Sequence, residues 1–411
     1  MNNLLSCSKT GWRMILSAVF LSCLQAPVIS QKAGTYTFPE GYLREADDVP
    51  PFWVATVDEV SEFLHKKIKR GRVEVIGKSA GGRPIMGVFY GQARNGKGTT
   101  TFSGSRGVRN IRAYRGPDYD KTVMFALSGV HGFELEPIMG MINLLSVFET
   151  GADLNKKKWP AIHAMPDSLD RIVIIPLVNP DGRARVPVRM GFNRGDSPEA
   201  YLVHEYLNTG GNQDGTIIGW PDVKEFIPMD FSKFGFPGGY PNDAGVNIMH
   251  DDFFGKPQPE TRAIFDLAER EKPDLVLNMH TGVARNDYYM QMHRPFAEEI
   301  LRPVFDSLYA QVLGALTLEG LQGTKDLARE TNSSGIKPSA YNFDTALNLH
   351  CGALSVVIES ASHVYTGTNV YKEPAVHTPE MLLNAQLTAH REAMKFLLTT
   401  GGRANWEKPL K

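Results

Sequence analysis

Four apolar stretches recur along the chain without the polar alternation that a strand with one wet face carries. They are Val-Met-Phe-Ala-Leu at 123–127, Ile-Val-Ile-Ile-Pro-Leu-Val at 172–178, Leu-Val-Leu at 275–277 and Leu-Ser-Val-Val-Ile at 354–358. Such stretches fit strands buried on both faces. Helical spacing flanks them around 137–148, 260–271, 297–318 and 379–398. The expected fold is therefore α/β, three layers (α/β/α) around a central mixed, mostly parallel sheet. Ahead of this region, Thr56-Val-Asp-Glu59 reads as a capping box, followed by Val57, Val60, Leu64 and Ile68 at helical spacing. Residues 73–76 and 85–90 around Gly81-Gly82 read as a hairpin. Between 191 and 252 the chain turns to Gly, Pro, Asn and Asp with scattered aromatics, a long surface excursion of a kind that is often functional, with an inert insertion fitting nearly as well.

Composition narrows the class of partner. Of 411 residues, 42% are hydrophobic and 22% charged, enough apolar material for a large core. Lys and Arg total 44 against 45 Asp and Glu, so the net charge of -1 offers no attraction for nucleic acid or another polyanion. Lys9 and Arg13, the apolar run from Met14 and the small residues before Gln31 form a signal-peptide pattern. That run is shorter than the roughly 20 residues needed to span a bilayer, so export with removal of residues 1–30 is expected, leaving 31–411 as one domain without a transmembrane segment. Secreted and periplasmic destinations both fit, and lipid attachment at Cys23 is the weaker alternative. Of Cys7, Cys23 and Cys351, only the last would remain, which excludes an internal disulfide and a cysteine-based zinc site.

The residues that carry chemistry sit at the ends of the apolar stretches. Ser128-Gly-Val-His131-Gly-Phe-Glu134 ends one strand and opens a helix, and His280 ends another in Leu275-Val-Leu-Asn-Met-His-Thr-Gly282. Ligand sites in open α/β sheets lie at that carboxyl edge. Two imidazoles and a carboxylate with one open position make a catalytic zinc set. A His-x-x-Glu alone is more often a helix-surface pair, so the second strand-end histidine carries the weight. Glu359 follows a strand expected to be buried, where it fits either a structural ion pair or a general base. His350 and Cys351 fit packing roles.

Taken together, these segments resemble the zinc carboxypeptidases related to carboxypeptidases A and B, from about Thr56 to Glu359. Gly77-Lys-Ser-Ala-Gly-Gly-Arg-Pro-Ile85 is similar to the family's opening signature, His131-Gly-Phe-Glu134 to its first metal motif and Asn179-Pro-Asp-Gly182 to its turn after a central strand. Gln258-Pro-Glu-Thr-Arg262 through His280 resembles the helix and strand that bring the last zinc ligand, and Glu359 stands in the place of the catalytic glutamate. The resemblance implies a zinc carboxypeptidase-like fold, one Zn2+ per chain on His131, Glu134 and His280, and a peptide or peptide-like substrate. It further implies Glu359 as base, Arg194 as the group that polarises the scissile carbonyl and Tyr341 as the tyrosine that closes over substrate.

One segment departs from the pattern. In Gly245-Val-Asn-Ile-Met-His250, Met249 and His250 stand where the family has the adjacent Asn and Arg that grip a terminal carboxylate. Histidine offers fewer donors than a guanidinium and titrates near pH 6.5. Asn247 and His250 remain candidate substrate contacts, and Arg285, Arg194 or Lys337 are candidate replacements for the missing arginine. The leading expectation is hydrolysis of a peptide-like amide through metal-activated water. Its rivals are a zinc amidase or deacylase acting on small acylated amines or cell-wall peptides, a non-haem iron enzyme, since the ligand set also suits iron, and a non-catalytic peptide-binding module.

Overall fold

A computed structural model describes residues 36–219, 222–225, 228–282, 291–293, 298–321, 341–368 and 373–407. The leader with Cys23, and Arg285 and Lys337, lie outside them. The four apolar stretches form the middle of a seven-stranded sheet whose strands we number β1 (Arg72–Lys78), β2 (Pro84–Gly91), β3 (Val123–Ser128), β4 (Arg171–Ile175), β5 (Leu275–Thr281), β6 (Gln291–His293) and β7 (Leu354–Ser360). Their spatial order is β1-β2-β4-β3-β5-β7-β6. The pairs β4–β3, β3–β5 and β5–β7 are parallel, and the outer pairs β1–β2, β2–β4 and β7–β6 are antiparallel. The central four strands thus share one direction, as the unbroken apolar runs require. β4 stops at Ile175, short of the expected 178, because Pro176 has no N–H to continue the ladder.

Seven longer helices cover the sheet: α1 (Val57–Lys67), α2 (Leu135–Thr150), α3 (Pro198–Thr209), α4 (Pro259–Glu271), α5 (Arg302–Leu318), α6 (Phe343–Cys351) and α7 (Pro379–Thr400). The capping box at Thr56 and Glu59 forms as its spacing predicts. Strand alternation sorts the core in two. Met86, Val88, Met124, Ala126, Leu275, Leu277, Met279, Leu354, Val356 and Ile358 face the side with α1, α2, α5 and α7. Ile85, Val123, Phe125, Leu127, Val276 and Val357 face α4 and α6. Each fully buried aliphatic or aromatic side chain contributes roughly 1.5–3 kcal/mol, so both faces of the sheet are committed to helices. α2 is buried along nearly its whole length, as a helix apolar on all sides must be. This arrangement is the expected three-layer α/β/α architecture. No helix of the described residues is long and apolar enough to cross a membrane.

Candidate metal centre

The parallel strands all end at one edge, and the chemistry-bearing residues gather there. His131 follows β3, Glu134 is the N-cap residue of α2, His280 is the penultimate residue of β5, and Glu359 the penultimate residue of β7. His280 and Glu359 are directly paired across the parallel ladder. Alternation puts both on the α4 and α6 face.

His131, Glu134 and His280 are buried, and their ligand atoms lie within 4.8 Å of one another. One Glu134 oxygen is 2.7 Å from His131 Nδ1 and the other 2.9 Å from His280 Nδ1, so a single carboxylate spans both imidazoles. The Thr281 amide also donates to Glu134, at 3.2 Å. Burial favours the neutral form of each group, but the charges oppose it. His131 is pushed below its ordinary value by burial. Burial also works against charge on His280, yet the Glu134 and Glu359 carboxylates overcome it and hold this imidazole at about 9. Glu134 is held well below the usual carboxylate range by the two histidines, against its own burial. The pocket therefore favours a positive charge between its groups, which a divalent cation supplies better than one proton. Its nitrogen and carboxylate donors are those of zinc sites, so the residues present fit a metal.

Among the described residues, Glu359 Oε2 is buried without a hydrogen-bond partner. Burial pushes Glu359 up to about 7, opposed by His280 and reinforced by Glu134 and Asp344. A Cβ on Gly282 would lie 2.8 Å from that oxygen, so the glycine leaves room for the carboxylate. Asp344, not foreseen from the sequence, is a further buried carboxylate on this face. It accepts from Asn278 Nδ2 at 2.8 Å and Ser355 Oγ at 2.6 Å. Burial raises its pKa.

A second polar layer braces the site from the opposite face of the sheet. Glu136, two residues after Glu134, accepts from Thr281 Oγ1 at 2.9 Å and from the His363 amide at 2.7 Å. Thr281 Oγ1 lies 3.2 Å from Ser360 Oγ. Each element that carries a site residue thus contributes a neighbour to this brace: Glu136 from α2, Thr281 from β5 and Ser360 from β7. An acidic residue at the start of an otherwise apolar helix was the available sequence signal.

The other anticipated residues are placed differently. Asn247, expected among the substrate contacts, stands behind His131: its Oδ1 lies 3.3 Å from His131 Nε2 and also caps the Met249 amide. Arg194 has its guanidinium bound by the Gly41 and Tyr42 carbonyls and lying over Phe192, which engages it with the N-terminal segment. Tyr341 rests against Phe253 and Phe254, with its hydroxyl buried and unpartnered. Met249 is buried and takes a contact from Asn278 Nδ2 at 3.6 Å, while the half-buried His250 ends a short 3-10 turn, Ile248–His250. His350 stacks on Phe265 and Cys351 is buried, both as packing groups.

No family model and no curated protein matches the chain. Solved structures do. A metallo-carboxypeptidase from Burkholderia cenocepacia is similar with a TM-score of 0.52 and 12% identity, over 84% of this chain and 70% of that one. A candidate carboxypeptidase from Burkholderia mallei is similar with a TM-score of 0.51 and 13% identity, over 83% and 67%. With the carboxyl-edge geometry described above, these likenesses establish that the chain has the fold of the metallocarboxypeptidases.

Proposed function

We propose that the chain is a zinc-dependent hydrolase of peptide or peptide-like amide bonds, with His131, Glu134 and His280 as metal ligands and Glu359 as the general base. The observation that carries this reading is the buried, unpartnered Glu359 Oε2 on the strand position paired with His280. A structural ion pair would have satisfied that oxygen. A bound zinc would lower the pKa of a water to about 7 and polarise the carbonyl. Glu359 takes a proton from the attacking water at Oε2 and returns it to the leaving nitrogen, so its free oxygen and upward-shifted pKa suit both halves of the transfer. Glu134 lies between the two imidazoles and would share the metal with them, and Asn247 fixes His131 from the far side.

For the substrate, Met249 and His250, standing where an adjacent Asn and Arg would grip a terminal carboxylate, keep the amidase or deacylase reading beside release of C-terminal amino acids. The test is metal content of protein purified without added metal, together with turnover of C-terminally free and blocked peptides and acylated amines. Glu359→Gln is expected to keep one zinc and lose nearly all turnover. Full activity in that variant would sink the base assignment. Cleavage confined to free peptides would sink the deacylase reading, and no zinc with no turnover would favour a binding module.

A further inference from the structure

The excursion at 191–252 runs against the metal motif, and the chemistry above leaves most of it unused. Three backbones meet there. The Gly132 amide donates to the Gly239 carbonyl at 2.8 Å. A Cβ on Gly132 would lie 2.1 Å from the Gly182 carbonyl carbon, and one on Gly182 would lie 2.1 Å from Gly239 O. The metal motif, the Asn179 turn and the excursion therefore touch through glycines, a packing that no other residue allows without displacing backbone. Asn179 Nδ2 ties the contact together, donating to Val130 O at 3.2 Å and Tyr240 O at 3.0 Å, while the Tyr240 amide donates to Asn208 O at 3.0 Å.

The outcome of this anchoring is the place of one ring. Tyr240 is buried, and its phenol lies flat on the His131 imidazole, with centroids 3.6 Å apart and planes 14° from parallel. A histidine donates to a metal along its ring plane, so its tilt matters as much as its position. His131 Nε2 faces Asn247 and Nδ1 faces Glu134, both contacts at the ring's edge, and the stacked phenol bears on the ring's face, which neither of them covers. Tyr240 and Asn247 both belong to the excursion.

We propose that Tyr240 is a positioning residue that sets the plane of the His131 imidazole, so that the excursion completes the metal centre and is not an inert insertion. This rests on the metal site proposed above. The test is zinc affinity by chelator competition for the wild type, Tyr240→Phe and Tyr240→Leu, with melting of the metal-free proteins as the folding control. Tyr240→Phe keeps the flat face and should bind within about twofold of wild type. Tyr240→Leu should bind roughly tenfold to a hundredfold more weakly, the usual effect of removing support from a ligating histidine. If the leucine variant does not fold, Tyr240→Met replaces it. Equal affinity of wild type and a folded leucine or methionine variant would overturn the inference and leave the metal site standing, whereas a wild type that binds no zinc would overturn both. Independently of any variant, stacking should shift the carbon-bound ring protons of His131 upfield in metal-free wild-type protein, and ordinary shifts would also overturn it.

Discussion

The resemblance in sequence implies that Arg194 polarises the scissile carbonyl, whereas its guanidinium is held by the Gly41 and Tyr42 carbonyls. These two roles differ in magnitude. Loss of a donor aimed at a developing oxyanion costs about a hundredfold to a thousandfold in kcat. Loss of a partly exposed contact with the N-terminal segment costs about 1 kcal/mol of stability and little turnover. Arg194→Ala is therefore expected to lower the melting temperature slightly and leave kcat within about tenfold on any substrate the protein cleaves. A fall of two orders of magnitude at unchanged stability would show that the guanidinium leaves Gly41 during turnover. Asn247 illustrates the complementary case, in which the right segment is recognised and its amide oxygen lies beside His131 Nε2. Its residue type alone does not distinguish a substrate contact from an acceptor behind an imidazole, because both need one amide oxygen and only the fold says where it points.

At the scale of elements, Glu260 in the first turn of α4 docks two other segments, accepting from the Ala80 amide in the β1–β2 turn at 2.9 Å and from Asn242 Nδ2 in the excursion at 3.0 Å. Burial nevertheless pushes its carboxyl up to about 7, with Asp181 adding to the effect. The folded state thus holds the proton more tightly than the unfolded chain, whose value is near 4.5. The associated stability is fully present below about pH 4.5 and is lost as pH rises through 7, by at most about 3 kcal/mol. Glu260→Gln cannot titrate, so its stability relative to wild type, followed by urea unfolding, should improve steadily from pH 4.5 to 7.5. Parallel curves would contradict the assignment. Six of the seven strands and the N-terminal cap of α1 were legible because apolar runs, a hairpin around Gly81-Gly82 and a capping box act locally, whereas β6 was not assigned. α3 was not assigned, although Ser197 caps it, Pro198 opens it and Gly210 closes it, because the Gly and Pro content of its surroundings masks a short helix. The proposed ligands His131, Glu134 and His280 were legible because strand ends converge in a parallel sheet. Tyr240, Glu136 and Asp344 were not, since their roles depend on contacts between segments far apart in sequence.

Across the whole molecule, the two ends of the parallel sheet carry different tasks. Asp274, the residue before β5, gathers charge at the edge opposite the metal centre. It accepts from Arg94 at 3.0 Å, from Arg115, and from the Val123 and Arg403 amides at 2.9 and 2.7 Å, and it is buried. This one carboxylate joins β3, β5, the short helix Arg112–Arg115 and the C-terminal helix Arg403–Trp406. Burial and the neighbouring Arg115 pull Arg94 down to about 10, which marks how closely the two guanidinium groups depend on the shared acid. Asp274→Asn would remove the one carboxylate that both guanidinium groups contact, a change that typically costs about 3–5 kcal/mol for a buried pair. His280 lies six residues further along the same strand, about 20 Å away at the rise of an extended chain. The substitution should therefore lower the melting temperature strongly while zinc affinity, measured below the transition, stays within about twofold of wild type. Loss of affinity in a variant that is still folded would mean that β5 transmits strain along its length, and that the brace of Glu136, Thr281 and Ser360 does not hold the carboxyl edge independently of the rest of the sheet.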